Sequence, residues 1–183
     1  LVSVMAKKIA FGSTHVVIDL PYGRTVKVHT EKDCEIMSKK FKFLAEKFKI
    51  KLETYIHKVD EPAGQGVGPL LEARDALLVL EQDKNRPIEL ENRVLTLSGM
   101  LLDLSLEGKK PPEPYKNGEA WAIDILKSGK AYEKMQEIIL AQGGNSFITS
   151  SDLKTAKNHG FVRADKSGEI KLVNNKNITL IAK

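Results

Sequence analysis

The 183-residue chain has 42% apolar and 29% charged residues, ordinary proportions for a globular protein that buries a core in one domain or slightly more. Its net charge of +5 invites a nucleic-acid partner, but the lysines are interspersed with Glu and Asp, and a 6% aromatic content is thin for base stacking, so no nucleic-acid partner is expected. No apolar run approaches the roughly 20 residues of a bilayer span, and no basic leader with an apolar core opens the chain.

The first ten residues, Leu1 to Ala10, contain Ala, Met, Lys and Ile without a breaker, and Gly12 follows as a left-handed stop, so a helix is expected. The chain opens in mid-helix without an initiator methionine, which suggests a piece of something longer. Val16, Val17, Ile18 and Leu20 form a buried-strand run that Pro21 and Gly23 end in a turn. Ligands of open α/β sheets collect at such a strand's carboxyl end. Thr30 and Asp33 resemble a capping box before an amphipathic helix of about 18 residues, with Cys34, Met37, Phe41, Leu44 and Phe48 on one face. Lys51 to Lys58 alternates apolar and polar residues, so strand, helix and strand make a right-handed βαβ unit.

Asp60 to Pro69 is a loop with alternate glycines at 64, 66 and 68, and it enters a helix over 70–80 with Pro69 at its start. Helices are expected over 88–106, with Leu90, Val94, Leu97, Leu101 and Leu104 on one face, over 118–128 and over 130–142. Gly108 to Pro114 breaks the series and Gly143-Gly144 stops it. Gly160 to Gly168 and Glu169 to Val173 predict a two-stranded hairpin, and Asn177 to Lys183 begins another element. The fold class is α/β, a mixed sheet with a βαβ crossover and flanking helices, followed by a small α+β C-terminal portion. The divisions fall at 1–12, 13–144 and 145–183.

The Gly64/Gly66/Gly68 loop is a phosphate-cradle candidate, since amides at a helix start attract anions. It lacks the Gly-Lys-Ser/Thr ending of a Walker loop and the spacing of a dinucleotide fingerprint, and the structural reading, glycines for close packing, is favoured. Ser3 and Lys7 share a helix face, where a hydroxyl and an ammonium suit a carbonyl-bearing ring as well as plain solvent. Lys27, past the first strand, suits a phosphate or open water equally. His15, His29 and His57 have no partner at metal or nucleophile spacing, and Asp19, inside an apolar strand, must be paired, exposed or ligand-facing. Cys34 has no internal disulfide partner, which fits a cytoplasmic protein.

Ser3-Val-Met-Ala-Lys-Lys-Ile-Ala, Val16-Val-Ile-Asp-Leu-Pro-Tyr-Gly, Gly66-Val-Gly-Pro-Leu-Leu-Glu-Ala-Arg-Asp-Ala-Leu, Gly129-Lys-Ala, Ala141-Gln-Gly-Gly and the closing Ser167-Gly-Glu-Ile with Asn175-Lys-Asn-Ile-Thr together resemble the thymidine/pyrimidine-nucleoside phosphorylase family. The branch most similar is the putative thymidine phosphorylases grouped with AMP phosphorylases, and the chain corresponds to a C-terminal portion. The resemblance implies phosphorolysis: inorganic phosphate, the co-substrate, attacks C1′ of a nucleoside and releases the base, with no cofactor required. Thymidine is the first substrate implied and AMP the second; a non-catalytic module of the same fold is the reading from another class.

By the same resemblance Ser3 and Lys7 match residues that contact the base, and Lys27 matches a nucleotide-binding lysine of the AMP phosphorylases. Ala63, Gly66 and Asp75 match a site for a structural potassium ion. Gly64-Gln65 stands where relatives commonly carry Gly-Arg, and Val59-Asp-Glu-Pro is more acidic than the usual Gly-Gln-Pro. The family's phosphate-binding segment and a base-contacting arginine lie upstream of these residues, so no catalytic residue is assigned and the 183-residue polypeptide alone is expected to be inactive. The resemblance also implies a hinge at Phe11 to Thr14 and a homodimer for the full-length protein.

Overall fold

Two parallel strands frame the protein. β1 (His15–Tyr22) and β2 (Lys51–Lys58) pair in unbroken register, from His15 against Lys51 to Tyr22 against Lys58. Parallel strands need a crossover, and α2 (Glu31–Lys47) supplies it. The computed structural model describes residues 1–158 and 160–182; His159 and Lys183 lie outside the described residues. At the start of α2 the Thr30 Oγ1 accepts the Asp33 amide at 3.2 Å and donates to the Asp33 carboxylate at 2.6 Å, so the signature read in the sequence does cap the helix.

The period of two turns Val16, Ile18 and Leu20 of β1 and Leu52 of β2 onto α2, where Cys34, Phe41 and Ala45 meet them. Met5 of α1 (Val2–Ala10) completes this core at 2% exposure. Burial of each such side chain stabilises the fold by about 1.5–3 kcal/mol. Phe48, expected on the same stripe, is instead exposed, because it lies past the last helical turn as the C-cap. Gly12 takes φ +67 just after α1, the left-handed stop expected there.

The other face of the sheet carries Val17 and Asp19 toward Leu97 and Leu101 of α4 (Ile88–Ser105). With α3 (Pro69–Leu80), α5 (Gly118–Lys127) and α6 (Lys130–Ala141), α4 forms a helical layer. An apolar cavity of about 640 Å³ runs between these helices, lined by Val79, Leu95, Leu102, Ile125 and Leu126. Val94 and Leu101 of the expected α4 stripe border it and stay half exposed.

Beyond α6 the carboxylate of Glu81 holds Ser150, accepting from its amide at 2.8 Å and its hydroxyl at 2.5 Å, at the start of a 3-10 turn over Ser150–Asp152. The hairpin expected over 160–173 is not formed: the described residues there contain no strand, and Phe161, Val162 and Ile170 are exposed. Alternation specifies a strand only where a sheet edge or helix covers one face, and an isolated hairpin is marginal in water. The described residues hold one sheet, two-stranded and parallel, with no antiparallel pair to make it mixed. The element expected near the end is α7 (Asn175–Ile181). Among the described residues no helix is long and apolar enough to cross a membrane.

Candidate functional site

Ser3 and Lys7 take their positions from Met5. With Met5 turned into the core, both lie on the exposed side of α1, one turn apart. Among the described residues no hydrogen bond or ion pair engages the side chain of Ser3, Lys7 or Lys27. The structure therefore leaves hydroxyl and ammonium together and free. No hydrogen bond among the described residues joins Lys27 to them; it lies in the loop after β1.

The loop carrying Lys27 is tightly held. The Val59 amide donates to the Tyr22 carbonyl at 2.8 Å, and the Gly23 amide donates to the Val28 carbonyl at 3.0 Å, folding the loop back on itself. Only glycine fits at position 23, since a Cβ there would lie 2.1 Å from the Val59 carbonyl oxygen. Thr25 is buried, and its Oγ1 accepts a hydrogen bond from Asn175 Nδ2 at 2.8 Å. Arg24 and Lys27 project from this anchored loop into solvent, and no carboxylate among the described residues pairs with either. Lys58, at the adjacent end of β2, is paired with Asp60 at 2.6 Å.

Asp19 is both exposed and paired: His57 Nε2–H donates to its Oδ1 at 2.8 Å, and Tyr55 stacks on the imidazole with ring centres 4.9 Å apart. At the other end of the strands His15 and Lys51 both reach Glu107, at 3.3 and 2.5 Å. The Lys51 ammonium, with help from His15, holds the Glu107 carboxyl below its usual range. His15 and His57 thus each pair with a carboxylate that their sequence spacing did not reveal.

The glycine loop settles its own reading. Asp75, on α3, is 2% exposed, and its Oδ2 accepts the amides of Gln65 and Gly66, each at 2.7 Å. Those amides face a carboxylate, so they do not cradle phosphate. A Cβ at Gly66 would sit 2.6 Å from the Leu71 backbone, so glycine is what lets the loop close on α3. The remaining oxygen of Asp75, Oδ1, is shielded from solvent and has no hydrogen-bond partner. The residue lines a cavity of about 460 Å³, with Ala63, Gly66, Glu72, Asn175 and Thr179 also on its wall. A buried carboxylate without a cationic partner is costly, and the Asp75 carboxylate, with carbonyl and amide oxygens and the Glu72 carboxylate on the same cavity, is a hard oxygen donor set suited to a hard cation. The described residues contain no group of three His, Cys, Asp or Glu that would hold a more demanding metal.

No family model matches the chain. Curated proteins do. An AMP phosphorylase of Methanocaldococcus jannaschii is 36% identical over 183 residues, all of this chain and 35% of the relative. An AMP phosphorylase of Thermococcus sibiricus is 40% identical over 184 aligned residues, again all of this chain and 35% of the relative. A putative thymidine phosphorylase of Legionella pneumophila (strain Corby) is 37% identical over 181 residues, 99% of this chain and 33% of the relative. The chain belongs to the nucleoside phosphorylase family of these proteins. It spans about a third of the length of the curated relatives it matches.

Gln65, which the resemblance sets where relatives commonly carry arginine, holds Asp75 through its main-chain amide, a contact indifferent to its side chain. The side chain instead reaches the Asn85 carbonyl at 3.4 Å. Sequence reasoning passed over Thr25 and Asn175, which join the Lys27 loop to α7. They stand 150 residues apart, and no local pattern connects them.

Proposed function

We propose that the full-length protein is a phosphorylase acting on AMP, and that these residues form one wall of its cleft. In that reaction an oxygen of inorganic phosphate bonds to C1′ while the C1′–N bond to the base breaks. The base leaves with the bonding pair and takes up a proton; the sugar leaves as ribose 1,5-bisphosphate. Ser3 and Lys7 hold the base, and a cation there steadies the charge that develops on it. Lys27, with Arg24 beside it, meets the 5′-phosphate.

The observation that carries this choice is the anchored loop after β1, which presents two cations with no carboxylate among the described residues to neutralise them. Thymidine, the first substrate implied by the sequence, offers that loop no charge, and it stands second on the name of the Legionella relative. Ala63, Gly66 and Asp75 hold a monovalent cation that braces the glycine loop against α3. Residues 1–12 are the end of the helical partner domain, resting on the α/β core through Met5, Phe11 to Thr14 is the hinge between the domains, and the full-length protein is a cytoplasmic homodimer. The isolated polypeptide, without the family's phosphate segment, is inactive.

Parallel assays of the full-length protein with AMP, thymidine and uridine test the reading. Phosphate-dependent release of adenine, faster than release of either pyrimidine, is expected. Preferential release of thymine would overturn the choice of AMP, and no release from any of the three would overturn the activity.

A further inference from the structure

Two side-chain oxygens stand out among the described residues as shielded from solvent without a hydrogen-bond partner: Oδ1 of Asp75 and Oδ1 of Asn175. Both residues line the same cavity of about 460 Å³. Each side chain is pinned through its other polar atom. Asp75 Oδ2 accepts two main-chain amides, and Asn175 Nδ2 donates to Thr25 Oγ1. No Lys, Arg or His lines the cavity, whereas Glu72 and Asp75 do. An oxygen left unsatisfied in the interior costs on the order of 1–3 kcal/mol. Two of them on residues that line one acidic cavity call for a positive charge there.

We propose that Asn175 Oδ1 is a donor to the cation of the Asp75 site, directly or through one water, so that α7 closes this site. The inference rests on the reading that Ala63, Gly66 and Asp75 hold a monovalent cation, and it adds a donor from the far end of the chain. The consequence is a linkage. Asn175 contacts Thr25, so a cation held by Asn175 also steadies the loop that presents Lys27, and cation occupancy favours the conformation in which α7 is docked.

The test is thermal unfolding of the full-length protein with rising potassium chloride, tetramethylammonium chloride keeping the ionic strength constant. The unfolding temperature of the wild type rises with potassium to a plateau, and Asp75→Asn loses the rise. Asn175→Leu raises the half-saturating potassium concentration about tenfold, the lower range for a residue that orients or relays to a metal. Asn175→Asp lowers it, because a second carboxylate then faces the ion while Thr25 still has an acceptor; this variant decides the matter if the leucine variant fails to fold. A potassium response that disappears in Asp75→Asn but keeps its midpoint in the Asn175 variants overturns the role of Asn175 and leaves the cation site standing. Absence of any potassium response in the wild type overturns both.

Discussion

Replacing Asp75 with alanine strips the acceptor from two main-chain amides at once. The Gly66 amide is buried and stays dry, so its loss costs about 1–3 kcal/mol; the Gln65 amide is only partly buried and recovers some of its loss through water. Removing a buried carboxylate that has no cationic side-chain partner offsets a fraction of this. The net expectation is a destabilisation of about 2–3 kcal/mol, read by urea denaturation without potassium, where loss of cation binding adds nothing to it. Asp75→Asn retains an acceptor oxygen for the loop and costs about 1 kcal/mol. An alanine variant within about 0.5 kcal/mol of wild type would refute the reasoning, since ordinary surface substitutions fall in that range.

Gly23→Ala drives a Cβ to 2.1 Å from the Val59 carbonyl, so it costs about 1–3 kcal/mol in thermal or urea unfolding and loosens the Lys27 loop; wild-type stability would contradict the close approach. Lys27→Ala removes the proposed charge-assisted contact to the 5′-phosphate, worth about 1.5–3 kcal/mol, so the proposal expects KM for AMP to rise by about tenfold or more while thymidine binding is unmoved. Equal effects on both ligands would rule out that contact. The hydrogen bond from Arg86 Nε to Glu91, at 2.5 Å, holds the Glu91 carboxyl below its ordinary value. Its folded pKa is depressed, so its contribution is present above about pH 4.3 and is lost as pH falls through the folded value. Glu91→Gln therefore flattens the fall in stability between about pH 5 and pH 3, and an unchanged acid profile would contradict the pairing.

The parts of the fold that could be read from the chain are those fixed by neighbours within a few turns. Thr30 before Asp33, the alternation from Lys51 to Lys58, and Pro69 ahead of an apolar helix each carry their cause locally, and each element is where it was expected. Asp19 was legible only as an anomaly. Its partner His57 becomes visible once the strands are set parallel with His15 opposite Lys51, a register no single strand encodes. The 160–173 stretch shows the converse, alternation without a covering surface to use it. At the site, spacing placed Ser3 and Lys7 on one face correctly. It gave no sign that Asp75 would be buried with an oxygen to spare, because that depends on how the glycine loop closes on α3.

The central claim is transfer of the sugar from base to phosphate. Incubating the full-length protein with AMP and radiolabelled inorganic phosphate tests it most directly. Adenine and a labelled ribose 1,5-bisphosphate should appear in equal amounts, and only when phosphate is present. Adenine released without incorporation of label, or no adenine at all, would contradict it.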